Sequence, residues 1–156
     1  MNRKEAPAAD GDGVIAEFAS TCLLMRARLA SRVLTALYDD ELREFGLNAP
    51  QFSMLVVIHR IGPASRAEIG RYHHQDRSTL TRNLKLLISE GWIEESPDSP
   101  GGRARPMVLT AKGLSLLHKV RPSWQTAQEK AKALLGENNV EALDDIAKRL
   151  RKSKRA

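Results

Sequence analysis

The residues best suited to chemistry are cations and hydroxyls concentrated between positions 77 and 85. They are Arg77, Ser78, Thr79, Thr81, Arg82 and Lys85. An arginine fork can donate two hydrogen bonds to guanine N7 and O6 in a DNA major groove. Small hydroxyl residues near a helix N-terminus let the backbone approach phosphates, and the helix dipole favours that contact. The cluster therefore indicates a nucleic-acid surface, with a solvated face on an ordinary core helix as the alternative interpretation.

The element that carries this cluster is predicted to be a helix. Leu80, Leu84, Leu87 and Ile88 fall on one apolar stripe, which leaves the cations and hydroxyls on the front. Asp76 is a suitable N-cap, and a glycine follows residue 90 as a C-terminal stop. The sequence thus predicts a helix with an apolar back and a polar, basic front.

The elements around this helix complete a recognisable arrangement. A capping box at residues 65–68 predicts a short helix before it. After it, residues 92–95 and 105–109 resemble two strands joined by a turn rich in Gly and Pro. The order of helix, short helix, helix and hairpin predicts a winged helix-turn-helix, mainly α with a two-stranded β wing. The candidate minor-groove contacts in the hairpin are Arg103 and Arg105.

Long amphipathic helices are predicted on both sides of the winged unit. Apolar residues recur every three or four positions over 14–45, and a second such helix runs from Thr110 to Gly136 with a kink near Pro122. A small globule cannot cover both ends of a helix of roughly 45 Å, so the pattern predicts a homodimer. The predicted divisions are a disordered tail (1–13), an N-terminal dimerisation helix (14–47), a winged helix-turn-helix DNA-binding domain (48–110) and C-terminal dimerisation helices (111–156).

Composition narrows the class of protein. The chain has 156 residues, 42% apolar and 28% charged, which is typical of a soluble folded domain. The net charge of +6 is weak support for nucleic-acid binding, because six basic residues beyond position 147 supply all of it. No stretch is long and apolar enough to span a membrane, and the start lacks the apolar core of a signal peptide. A single cysteine cannot form an internal disulfide, which indicates a cytoplasmic protein.

Several motifs over residues 52–113 resemble the MarR-type (multiple-antibiotic-resistance) transcriptional regulators. They are Ser-Arg-Ala-Glu-Ile, Asp-Arg-Ser-Thr-Leu-Thr-Arg-Asn-Leu, Glu-Gly-Trp-Ile-Glu and Val-Leu-Thr-Ala-Lys-Gly. The resemblance implies a homodimer on a pseudo-palindromic operator in double-stranded DNA, which represses transcription until a ligand or an oxidant releases it. The residues that it assigns to the recognition helix are Ser78, Thr79, Thr81, Arg82 and Lys85, and it assigns Arg103 to the wing tip.

Two departures from the family pattern concern the wing and the turn before the recognition helix. Gly101 stands where the family usually has the Asp of an Asp-x-Arg wing motif, and Asp98 is the candidate substitute. The turn is His73-His74-Gln75 instead of Leu-Gly-Leu or a similar sequence. We therefore expect looser packing at the turn and a less well placed Arg103.

Other conspicuous residues leave alternatives open. Cys22 lies near the position of a reactive thiol in oxidant-sensing members of the family, but its place on the apolar stripe favours core packing. Ligand-pocket candidates are Met25, Arg26, His59 and Trp124, with dimer core and rim as equal alternatives. No metal-ligand spacing, phosphate loop or nucleophile motif is present, so neither a cofactor nor an enzyme is predicted. The alternative from another functional class is a winged-helix protein-interaction module without DNA binding.

Overall fold

The computed structural model describes residues 10–96 and 105–153. The helices in these ranges are α1 (Asp10–Thr21), α2 (Leu23–Leu42), α3 (Ala49–Ile61), α4 (Arg66–His73), α5 (Arg77–Ser89), α6 (Ala111–Lys119), α7 (Arg121–Leu135) and α8 (Glu137–Ser153), with a 3-10 turn over Arg43–Phe45. Strands β1 (Ile93–Glu95) and β2 (Met107–Leu109) form an antiparallel pair. This order confirms the predicted fold class. No helix in the described ranges is long and apolar enough to cross a membrane.

The N-terminal helices differ in detail from the single helix predicted. Helix α1 starts at Asp10, ahead of the predicted start at Val14, and Asp12 in its first turn complements the helix dipole. Residues 1–9 of the predicted tail lie outside the described residues. The helix is interrupted only at Cys22, whose amide and carbonyl still bond at 3.1 and 3.3 Å to residues four positions away.

The chain divides into two compact units at Leu34 and Thr35, within α2. The second unit contains a closed apolar core. Its fully buried large side chains are Leu42, Met54, Leu55, Ile58, Ile69, Leu84, Leu87, Ile93, Met107 and Val120. Because burying one such side chain contributes roughly 1.5–3 kcal/mol, this core holds α3, α4, α5 and the two strands together.

The base of the wing is a small sheet with three contributors. Strands β1 and β2 pair with Glu95 opposite Met107. Ala64, just before α4, adds a bridge: its amide donates to the Met107 carbonyl at 3.2 Å, and its carbonyl accepts from the Met107 amide at 2.8 Å. Strand β2 begins later than predicted because Pro106 has no N–H to donate, although its carbonyl accepts from the Ser96 amide at 2.8 Å.

The predicted second long helix consists of α6 and α7, which meet at Val120. Pro122 lies in the first turn of α7, where the missing N–H leaves no helical bond unmade. The predicted disruption of the helix at this proline is therefore confirmed as a break just before it. The Tyr38 hydroxyl near the end of α2 donates to the Gln128 side chain, which ties α7 to the C-terminal part of α2.

Candidate nucleic-acid interface

Helix α5 separates an apolar back from a polar front. Its buried residues are Leu80, Leu84 and Leu87. At about 100° per residue, the opposite direction belongs to Ser78, Arg82 and Lys85. All three are exposed. Ser89 lies in the same direction in the last turn and is also exposed, so the front of α5 presents two hydroxyls and two cations, none of which is needed to fill the core.

The other predicted contact residues of α5 lie on its flanks. Arg77 and Thr81 occupy the flank beside α4, and Thr79 is half-buried on the other flank. The Thr81 hydroxyl donates to the Arg77 carbonyl at 2.7 Å, so its proton is already used within the helix. The predicted set of six thus divides into three outward-facing residues and three flanking ones.

A carboxylate closes the N-terminus of α5. Oδ1 of Asp76 accepts the amides of Ser78 and Thr79 at 3.0 and 2.9 Å and the Ser78 hydroxyl at 2.6 Å. The Ser78 hydroxyl bond, followed by the Thr79 amide bond, holds the pKa of Asp76 well below its usual range. The sequence interpretation expected a phosphate at these backbone donors, but the chain's own anion occupies them. A phosphate near this end needs side-chain cations instead.

The segment that opens α6 fixes the other end of α5. Thr110 Oγ1 donates to the Gly91 carbonyl at 2.7 Å, and Lys112 Nζ donates to the carbonyl one residue earlier at 2.6 Å. Carbonyls at a helix C-terminus lack partners within the helix, so these bonds satisfy them. A Cβ on Gly113 would lie 2.2 Å from the Trp92 carbonyl oxygen, so any residue other than glycine would clash there. The Thr-Ala-Lys-Gly motif therefore has a positioning role.

The turn between α4 and α5 uses a left-handed backbone conformation. His74 adopts φ 52°, and its amide donates to the Gly70 carbonyl. Histidine is one of the non-glycine residues enriched in this region. A Cβ on Gly70 would lie 3.0 Å from the Leu80 side chain, so the two helices approach closely despite the polar turn. Burial lowers the pKa of the neighbouring His73.

The structure describes only one of the two predicted wing arginines. Arg105 is exposed just before β2. The positions outside the described residues are Asp98, Gly101 and Arg103. At the base of the wing, an Arg66 nitrogen at the start of α4 lies 3.3 Å from a Glu95 carboxylate oxygen in β1. This ion pair and the Ala64 bridge both attach the wing to the start of α4.

The sequence did not predict an open groove of about 940 Å³ between α4 and the start of α5. Three arginines line it, namely Arg66, Arg71 and Arg77. Only Arg77 belonged to the predicted set. Arg66 and Arg71 point about 140° apart around α4, so their spacing gave no sign of a shared surface. The groove exists because α5 supplies its second wall.

The remaining predicted site residues are spread over several helices. Cys22 is half-buried, and the nearby Arg26 guanidinium donates to the Ser20 carbonyl. Met25 and Arg26 are exposed on α2, His59 is exposed near the end of α3, and Trp124 is half-buried in the first turn of α7. A pocket shared by these candidates stays a prediction. Among the described residues, no three His, Cys, Asp or Glu side chains are grouped to hold a metal ion.

The fold and this interface define a winged helix-turn-helix protein. A model of the MarR family matches residues 45–104. The transcriptional regulator MosR of M. tuberculosis, solved in complex with DNA, is 31% identical, with a TM-score of 0.71 over 86% of this chain and 97% of MosR. A mutant of E. coli MarR, solved with operator DNA, has a TM-score of 0.74 at 21% identity, over 86% of this chain and 96% of that chain. MarR of Salmonella typhimurium is 28% identical over 73% of this chain and 80% of its own length.

The family match and the identity to MosR over nearly all of its length agree with the motifs. The chain belongs to the MarR family, and it is a transcriptional regulator of that family. Another relative named as a transcriptional regulator is the HTH-type YwoH of Bacillus subtilis, which is 24% identical over 124 residues.

Proposed function

We propose that this protein is a homodimeric repressor that binds a pseudo-palindromic operator in double-stranded DNA and is released by a small-molecule ligand. The observation that carries the proposal is the front of α5, where Ser78, Arg82 and Lys85 are exposed over a fully apolar back. MosR and E. coli MarR share this fold and were solved with DNA, which supports a duplex as the partner.

In this proposal each side chain of the interface has a distinct task. Arg82 projects from the centre of the front and donates two hydrogen bonds to a guanine edge. Lys85, one turn further, binds a base edge or an adjacent phosphate as a point charge. Ser78 and the flanking Thr79 and Thr81 contact base edges or phosphates. The Ser78 and Thr81 hydroxyls accept hydrogen bonds there as they stand, and donate to a phosphate once they turn from Asp76 and the Arg77 carbonyl. The wing arginines, Arg103 and Arg105, reach into the neighbouring minor groove, where negative potential attracts guanidinium groups.

Exposed apolar stripes support the homodimer. Along α1 and α2 the residues Phe18, Met25, Leu29 and Val33 recur at helical spacing and are exposed. Leu143 and Ile146 on α8 are exposed in the same way. Extended apolar surfaces of this kind mark contacts with another protein, and a second copy offers identical stripes. Two copies place two α5 helices on one face of a duplex, which matches a two-fold operator.

Repression follows if the dimer occupies the promoter. Release then requires a ligand that favours a dimer with a different spacing between the α5 helices. The proposed ligand contacts are Met25, Arg26, His59 and Trp124. Control by oxidation of Cys22 is the alternative, and it fits less well because the thiol is half-buried and the Arg26 guanidinium is bonded elsewhere. A protein-interaction module also fits less well, because the centre of the front of α5 carries Ser78 and Arg82, and the exposed Leu86 lies beside it as a single apolar residue.

The proposal is tested with the purified protein and a duplex selected from genomic fragments. Arg82→Ala should lower affinity for that duplex by about 1–3 kcal/mol and relax the preference at one base pair. Arg121→Ala is the control, because Arg121 is exposed in the first turn of α7, away from α5 in sequence and outside the groove lining. Fluorescence anisotropy on a panel of single-base variants measures both effects. Equal weakening on every duplex would limit Arg82 to phosphate contact, and failure of the unmodified protein to prefer any duplex would refute the proposal.

A further inference from the structure

We infer that the groove between α4 and α5 holds the phosphodiester strand that separates the major groove from the adjacent minor groove, with Arg71 and Arg77 as its phosphate contacts. This inference rests on the proposed DNA binding and extends the interface to a surface outside the front of α5. Neither Arg71 nor the role of this groove was apparent from the sequence.

The position of the groove is the first support. With α5 in a major groove and the wing in the next minor groove, one sugar-phosphate strand must pass between them. The groove adjoins α5 through Arg77 and Thr81. Its far rim carries Arg66, which pairs with Glu95 of the wing strand at 3.3 Å. The groove therefore spans the interval from α5 to the base of the wing, where that strand has to run.

The charge of the groove is the second support. Arg66 is engaged by Glu95, but within the described residues no carboxylate oxygen lies within 4.0 Å of the Arg71 or Arg77 guanidinium. Two acidic residues are near: Asp76 lines the groove itself, and Glu68 interacts electrostatically with Arg71, but both carboxylates accept hydrogen bonds at helix caps. Asp76 accepts from the start of α5, and Glu68 accepts the amide and hydroxyl of Ser65 at 2.8 and 2.7 Å. The groove lining thus has three arginines and one carboxylate, and two of the guanidinium groups have no carboxylate oxygen in ion-pair contact, which leaves a basic surface for a polyanion.

The cap on α5 is the third support, because it decides which groups can meet a phosphate. A free helix N-terminus would bind phosphate through its amides. Here Asp76 already accepts from two of them, at 3.0 and 2.9 Å. The flanking guanidinium groups therefore have to supply the phosphate contacts. Such contacts fix the register of a protein on DNA without reading its sequence.

The salt dependence of binding tests this inference. We would measure the dissociation constant of the full chain on its selected duplex and on a scrambled duplex at several KCl concentrations, for the unmodified protein, Arg71→Gln, Arg77→Gln and Arg121→Gln. Log affinity falls as log salt concentration rises, and each lost phosphate contact makes this slope less steep by about 0.9. Because the dimer carries two copies of each residue, Arg71→Gln and Arg77→Gln should each reduce the steepness of that slope by about 1.8. Each should also weaken binding to both duplexes by the same factor. Arg121→Gln should leave the slope unchanged.

Two further measurements distinguish the loss of a phosphate contact from a folding defect and from a failure of the proposed DNA binding. Arg71→Lys keeps the charge and should restore the slope, and thermal unfolding should show equal midpoints for all variants. Unchanged slopes in Arg71→Gln and Arg77→Gln, or a loss confined to one sequence, would overturn the phosphate role. If the unmodified protein bound neither duplex, the proposed function itself would fail.

Discussion

The winged domain, from α3 to β2, buries most of its large apolar residues, whereas the terminal helices leave most of theirs exposed. In the winged domain Leu84 has no exposed surface. On the terminal helices Phe18 of α1 is 57% exposed and Ile146 of α8 is 52% exposed. A domain with a closed core is complete within one chain, whereas a helix with an exposed apolar stripe needs a second surface. The comparison indicates that the core of the winged domain, which also includes Leu42 and Val120, is closed within one chain, and it supports the proposal that a second copy covers the terminal helices.

The largest expected effect contrasts one apolar residue from each region. Leu84→Ala should lower the free energy of unfolding by about 2–5 kcal/mol at every protein concentration, because it leaves a cavity in the core. Ile146→Ala should act mainly on the concentration-dependent part of stability, because its side chain is covered only in the dimer. Urea unfolding at two protein concentrations, with sedimentation for oligomeric state, measures both. A concentration-independent loss from Ile146→Ala as large as that from Leu84→Ala would break the comparison.

A smaller effect is expected from adding one methyl group to a glycine in each region. Gly113→Ala places a Cβ 2.2 Å from the Trp92 carbonyl oxygen and should destabilise the protein by about 1–3 kcal/mol or more. Gly13→Ala in α1 meets no atom within 4 Å and should stabilise its helix by up to about 1 kcal/mol.

Thermal unfolding gives the sign of each change. DNA affinity should fall only for Gly113→Ala, because that glycine lets α6 dock against the end of α5. A stable Gly113→Ala protein with full DNA affinity would contradict this positioning role.

The smallest effect concerns the turn before α5. His74→Gly should stabilise the protein by about 1 kcal/mol, because a left-handed conformation is unfavourable for residues with a Cβ. Gly46→Ala is the reverse control: Gly46 lies in the same left-handed region, at φ 67° and ψ 20°, with no atom within 4 Å of an added Cβ, so alanine there should destabilise by a similar amount. Denaturant midpoints at constant slope measure both changes. Lower stability in His74→Gly would mean that the imidazole makes contacts worth more than the backbone strain.

Local signals account for the parts of the fold that the sequence predicted. The Ser65 capping box, the Asp76 cap and the leucine stripe determine α4 and α5 within a few residues, so the order of the winged unit could be predicted. Pro122 likewise marked where the second long helix is disrupted, whereas the strand predicted over 105–109 begins only after Pro106. Each of these signals acts over one turn or one strand.

The groove and the state of the α5 N-terminus could not be predicted in this way. Arg66 and Arg71 share a surface only because Leu80 of α5 packs against Gly70 of α4, which is a tertiary contact. The sequence also favoured two incompatible roles at one place. Asp76 was predicted to cap α5 and a phosphate was expected at the same amides, yet those donors can serve only one acceptor. The amides of Ser78 and Thr79 donate to the Asp76 carboxylate, so they are not available to a phosphate.

In the proposed complex, two copies of this chain hold two α5 helices in successive major grooves on one face of DNA. Hydroxyl-radical footprinting of the purified protein on its selected duplex tests this most directly. Two protected half-sites with centres about 10–10.5 base pairs apart, or a whole multiple of that spacing, are expected. Protection of a single half-site at saturation, or a uniform footprint without two-fold symmetry, would contradict this arrangement.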